Sequence, residues 1–198
     1  MSKFRNIVFD LGGVVFARDP QKFSPEFREF FSFVYEPQMP HFWEEYDRGT
    51  LTLDEVQEIL CERNHCEREL CERYIAEAID MQEEIRPTKS LIEQLKEAGY
   101  ELYVLSNMSR EFIDFLRLKP VYQHFVGEVV SCEELVVKPE PEIYRLLIDR
   151  YSLDPAQTLF IDDREANINA AEREGICGFH FDRHDPQMSC DLLARMLL

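Results

Sequence analysis

The period of the hydrophobic pattern changes twice along the chain. The three apolar residues Ile7–Phe9 lead into Asp10 and predict a buried strand at about Phe4 to Phe9. From there to about Ile85 the spacing is helical and no convincing strand is legible. Within this block Thr52 followed by Glu55 forms a capping box that opens the amphipathic run VQEIL, and the charges from Glu67 to Arg73 continue helically. Beyond Pro87 helices and strands alternate. SLIEQLKEAGY is an amphipathic helix stopped by Gly99, and ELYVLS follows as a short β-rich strand. A helix from about Ser109, a strand near 125–130, a helix over about 140–151, the strand TLFI, a helix over 165–174 and the strand ICGFHF complete the series. Strands separated by helices imply right-handed crossovers, hence an α/β fold with a doubly wound, Rossmann-like parallel sheet. The helical block becomes an insertion after the first strand, so residues 1–16 and 86–198 are expected to form the core and 17–85 an all-helical second domain.

Sheets of this type bind ligands beyond the carboxyl ends of their strands. The polar residues just past each expected strand are Asp10, Ser106 with Asn107, Lys138, and Asp162 with Asp163. A carboxylate at the end of a buried strand is costly unless a cation or strong donor meets it. Three converging carboxylates call for a cation, and their hard oxygens suit Mg²⁺. A phosphoryl group held there would have Mg²⁺ on one side and Lys138 on another, with Ser106 and the N–H groups of the Gly12–Gly13 turn as donors. Asp10 has two open roles, metal ligand and nucleophile. As nucleophile it would form an aspartyl-phosphate that water hydrolyses, with Lys138 offsetting the repulsion between two anions.

Charge narrows the partners. Lys and Arg total 22 against 39 Asp and Glu, a formal charge of -17, which argues against nucleic acid or an anionic membrane. No apolar run approaches the roughly 20 residues of a membrane helix and no signal-peptide pattern opens the sequence, so a cytoplasmic location is expected. Cys61, Cys66 and Cys71 recur in a helical-looking segment at a spacing that rotates around a helix. They read as reduced thiols on or near its surface rather than a zinc site. Phe42, Trp43 and Tyr46 read as core at helical spacing, and His180 and His184 as exposed or structural.

FDLGGVVF, VLSNMS, VKPEPEIY and FIDDREANINAA, in that order, resemble the four motifs of the haloacid dehalogenase-like hydrolase superfamily. The resemblance covers essentially the whole chain, with residues from about 17 to 85 in the place of the helical cap. FDLGGV with FWEEYDRGTLT and KPEPEIY looks most like the alpha-D-glucose-1-phosphate phosphatase-like branch. The resemblance implies Asp10 as nucleophile and Mg²⁺ ligand, Ser106 and Asn107 at the phosphoryl group, and Lys138 stabilising nucleophile and phosphate. It further implies Asp163, with Asp162 beside it, at the metal, Gly12 offering its carbonyl to Mg²⁺, and Asn167 supporting the acidic loop. The expected substrate is a small phosphorylated metabolite, a sugar phosphate among the options.

One position departs from the pattern. Phosphatases of this superfamily usually carry a second Asp two residues after the nucleophile, which protonates the leaving group and activates water. Here Gly12 stands in its place. General acid–base help is worth about 10²–10⁴ in rate, so a slower enzyme, one limited to good leaving groups, or one that borrows an acid is expected. Asp19, His41 and Asp47 are the candidates for such an acid. Two alternatives follow from the same gap: a 2-haloacid dehalogenase, which needs no metal, and a catalytically impaired domain that binds a phosphorylated ligand or a protein.

Overall fold

The computed structural model describes residues 3–35 and 39–198; residues 1–2 and 36–38, within the expected core and helical block, lie outside them. Five strands form one parallel sheet: β1 (Asn6–Phe9), β4 (Glu101–Ser106), β5 (Gly127–Val130), β6 (Thr158–Asp162) and β7 (Cys177–His180), in the order β5-β4-β1-β6-β7. Every pairing among them is parallel. β1 lies at the centre, and the chain leaves it for β4 on one side and later for β6 on the other. That reversal makes the carboxyl end of β1 the topological switch point, where the crevice of a doubly wound sheet opens.

The central strands are near-continuous apolar runs because both faces are covered. Ile7, Phe9, Leu102, Val104, Leu159 and Ile161 point to one side, where α5 (Arg86–Glu97), α6 (Arg110–Leu116) and α10 (Pro186–Leu197) pack. Val8, Tyr103, Leu105, Val129 and Phe160 point to the other, against Ile143, Tyr144 and Leu147 of α8 (Pro141–Tyr151) and Ile168 and Ala171 of α9 (Glu165–Arg173). The period-2 alternation within each strand thus assigns its residues to two separate clusters.

Between the first and second core strands stand α1 (Pro25–Phe30), α2 (His41–Arg48), α3 (Leu53–Asn64) and α4 (Arg68–Asp80). The capping box at Thr52 opens α3, with both reciprocal hydrogen bonds made. Two two-residue strands, β2 (Phe16–Ala17) and β3 (Glu83–Glu84), pair antiparallel at the root of the helical block. Two residues carry no readable period, so this ribbon is not legible in the sequence. α10 lies beyond the elements expected above; Asp185 followed by Pro186 is its helix-opening signal, and the Asp185 carboxylate accepts from the Met188 N–H.

The cysteine spacing is corrected by the structure. Cys61 lies in the last turn of α3, Cys66 follows His65, whose φ of 51° breaks the helix, and Cys71 lies in α4. The thiols therefore converge inside a helical hairpin instead of rotating about one helix. All three are free, Cys71 is buried rather than at the surface, and burial with the neighbouring Cys61 raises the thiol pKa values of Cys66 and Cys71.

Candidate active site

Three adjacent strands end at one point. Asp10 follows β1, with its backbone N–H donating to the Ile161 carbonyl at 2.9 Å; Ser106 ends β4 and Asp162 ends β6. Lys138 enters from the loop beyond β5. Its Nζ lies 2.9 Å from Asp10 Oδ1 and 2.6 Å from Asp162 Oδ2, and it donates to the Leu105 carbonyl at 2.9 Å. An ammonium has three protons, so all of them are engaged. Its side chain is 1% exposed. Burial pulls the Lys138 pKa down, but Asp10 and Asp162 outweigh it and leave the group above the ordinary lysine value.

The three acids are not equivalent. Asp162, fully buried, accepts from Lys138, from Asn167 Nδ2 at 3.0 Å on each oxygen, and from the Arg164 N–H at 2.8 Å. It orients the cluster and has little capacity left. Among the described residues the Asp163 carboxylate meets only the distant Nη1 of Arg183, at 3.4 Å, and burial with the neighbouring Asp162 raises its pKa. Asp10 is pushed up to about 6, chiefly by burial, with Lys138 opposing and Asp162 and Asp163 adding to the rise. Carboxylate oxygens of Asp10, Asp162 and Asp163 lie within 4.8 Å of one another. Two under-satisfied carboxylates beside a chain turn at Gly12 form an oxygen-only donor set that fits Mg²⁺.

Asn107 does something the sequence did not suggest. Its Oδ1 accepts from the Lys138 N–H at 2.7 Å and its Nδ2 donates to the Lys138 carbonyl at 2.9 Å, so its side chain fixes the lysine's backbone. Ser106 Oγ is buried and has no hydrogen-bond partner among the described residues. A buried hydroxyl left unpaired is costly, and a phosphoryl oxygen would relieve it. Gly13, at φ 78°, brings the turn so near Asp163 that a Cβ there would sit 2.9 Å from Asp163 Oδ2, whereas a Cβ at Gly12 would meet nothing within 4 Å.

These residues open into a cavity of about 410 Å³ lined by Asp10, Gly12, Asn107, Lys138, Asp163 and Asn167. The helical block supplies the opposite wall through Trp43 and Asp47, and Met108 and Phe112 contribute further apolar surface. Trp43 is core as well as wall, in edge contact with Phe31, Phe42 and Tyr46. Arg18, Arg164 and Arg183 also line the cavity and were missed by the sequence reading. Arg164 was within reach of it, since it directly follows the acidic pair at a strand end; Arg18 and Arg183 carry no such positional signal.

Residues 4–175, which include every strand end described above except that of β7, match the haloacid dehalogenase-like hydrolase family. The chain belongs to that family. As a haloacid dehalogenase-like hydrolase it is 25% identical over 180 residues to the sesquiterpene phosphatase astK of Aspergillus oryzae, covering 89% of each chain. It is 27% identical over 204 residues to the D-ribitol-5-phosphate phosphatase of Bacteroides thetaiotaomicron, covering 94% of each. Other matches are partial: the chain spans 9% of mouse acyl-CoA dehydrogenase family member 10 and 17% of rat bifunctional epoxide hydrolase 2. A solved haloacid dehalogenase-like enzyme of B. thetaiotaomicron, bt-2542, in complex with magnesium and inorganic phosphate, shares the fold at 23% identity and a TM-score of 0.74, over 91% of this chain and 95% of that one.

Proposed function

We propose that this hydrolase is a Mg²⁺-dependent phosphomonoesterase of small phosphorylated metabolites, working through an aspartyl-phosphate, with sugar and polyol phosphates the first substrates to test. The observation that carries the reading is the Lys138 ammonium held between Asp10 and Asp162 while the buried Ser106 hydroxyl, one strand away, has no partner among the described residues. A dianionic phosphoryl group satisfies both features, since it needs a fixed positive field and supplies acceptor oxygens. The phosphatase names of the two full-length relatives and the magnesium and phosphate of the structural neighbour support the same reading.

Asp10, Asp163 and the Gly12 carbonyl would hold the metal, with Asp162 excluded from direct contact by its own hydrogen bonds. Bound Mg²⁺ supplies charge neutralisation for the phosphoryl oxygens. Asp10 attacks phosphorus along the line of the leaving oxygen, and Lys138 lowers the repulsion between the two anions. Ser106 donates to a phosphoryl oxygen, and Asn107 and Asp162 keep the lysine in place. Residues 17–85 act as the cap that closes the cavity and excludes water.

The test is phosphate release from glucose 1-phosphate, ribitol 5-phosphate and an activated aryl phosphate, with Mg²⁺ and with excess chelator. Release from at least one compound is expected with Mg²⁺ and is expected to stop on chelation. Metal-independent halide release from a 2-haloacid, with no phosphate release, would replace this reading with the dehalogenase.

A further inference from the structure

The residue that normally donates the proton is absent at Gly12, and the structure narrows what can replace it. Of the three acids considered from sequence, Asp19 caps a short 3-10 turn through the Gln21 N–H. His41 has an 85% exposed side chain facing Glu45. Neither lines the cavity. Asp47, at the last turn of α2, does, together with Asp10, Gly12 and Asp163.

Asp47 is also held there firmly. Gly49, at φ 86°, ends α2 against the backbone of Cys132, where any Cβ would sit 2.4 Å from the Cys132 carbonyl. Ser131 Oγ donates to the Asp47 carbonyl and accepts from the Met108 N–H at 2.9 Å, joining α2 to the loop that follows Ser106. Arg48 reaches Glu140 at 2.8 Å, which joins α2 to the loop that carries Lys138. Two catalytic loops thus grip the helix that carries Asp47.

We infer that Asp47 is the general acid–base of this enzyme, reaching from the helical block into the space that the side chain at position 12 occupies in other phosphatases. The inference rests on the phosphomonoesterase reading. In the first step Asp10 Oδ bonds to phosphorus, the ester P–O bond breaks with its electron pair on the leaving oxygen, and the Asp47 proton passes to that oxygen to give a neutral alcohol. In the second, Asp47 carboxylate takes a proton from water as that water's oxygen bonds to phosphorus. The P–O bond to Asp10 breaks, and inorganic phosphate, Asp10 carboxylate and protonated Asp47 remain.

The protonation state agrees with this role. Asp47 is pushed up to about 8, chiefly by burial and also by Asp10, while Arg164, the Ser109 N–H and Arg18 pull it down; Cys132 and Tyr46 are further titratable neighbours that feel its charge. The acid form therefore predominates at neutral pH, and turnover of alkyl phosphates falls as pH rises through about 8.

The experiment compares wild type, Asp47→Asn, and Asp47→Asn combined with Gly12→Asp, on an alkyl phosphate and an activated aryl phosphate with Mg²⁺. Asp47→Asn is expected to lose about 10²–10⁴-fold on the alkyl ester together with the fall above pH 8. On the aryl ester, whose leaving group needs no proton, a stoichiometric burst of aryl alcohol is expected, followed by slow steady-state turnover. The burst reports an intact fold and an active Asp10. Adding Gly12→Asp is expected to restore alkyl turnover, because a Cβ there meets nothing within 4 Å. Asp47→Asn with wild-type alkyl turnover, or without the aryl burst, overturns the assignment alone. No phosphate release by the wild type overturns it together with the phosphatase reading.

Discussion

Replacing Lys138 with methionine is expected to lower folding stability by about 3–5 kcal/mol and to abolish turnover. The stability loss follows from what the ammonium leaves behind: Asp10 and Asp162, buried, each within 3 Å of Nζ in the wild type. Removing one partner of a buried ionic cluster costs about 3–5 kcal/mol because the remaining charge stays desolvated. Methionine matches the lysine stem in length, so little of the loss comes from a cavity. The Leu105 carbonyl loses its donor as well. The loss should shrink as pH falls, since protonation of the uncompensated carboxyls removes the charges that made the variant unstable. Denaturant titrations at pH 5 and pH 8 check this, and an equal loss at both would contradict the electrostatic cause. Combining Lys138→Met with Asp162→Asn should recover part of the stability and none of the activity.

Much of this arrangement could be read in the sequence, for a physical reason. A parallel strand buried on both faces is a continuous apolar run, and its ligand-facing residue comes immediately after it, so IVFD, VLSN and FIDD each announce both strand and site. Lys138 was found by the same rule, and the structure brings it to Asp10 and Asp162. The features that stayed hidden depend on contacts between distant segments. Asn107 as the clamp on the Lys138 backbone spans 31 residues, and the Ser131 bond that anchors Asp47 spans 84. No local period reports such pairs. Asp19, His41 and Asp47 looked alike in sequence because the docking of α2, not its composition, selects among them. The convergence of the cysteines was missed because a non-glycine residue, His65, takes the left-handed conformation that ends α3.

Asp10→Asn is expected to remove turnover entirely while making the metal-free protein more stable, a divergence that ordinary destabilising variants do not show. An amide cannot form the aspartyl-phosphate, so neither alkyl nor aryl phosphates should give even a burst, in contrast with Asp47→Asn. On stability, Asp10 is held at about 6 against an ordinary 3.8, chiefly by burial, a difference of about 3 kcal/mol. A carboxyl whose pKa is raised by folding favours the folded state when protonated, and that contribution disappears as pH climbs from about 4 through 6. Asparagine is neutral throughout, keeps an oxygen toward Lys138, and leaves the Lys138–Asp162 pair intact. In chelator the variant should therefore melt above the wild type at pH 7.5 and lose its advantage below pH 4. Adding Mg²⁺ should reverse part of the gap, because a ligand bound by the native state at about 100 times its Kd stabilises by about 2.7 kcal/mol and the variant lacks one of the charged oxygens that hold it. Equal melting of the two proteins in chelator would mean that Lys138 fully offsets the burial of Asp10. The same ionised carboxylate that destabilises the empty site is the group that must attack phosphorus, and a fully stabilised Asp10 would be a poorer nucleophile.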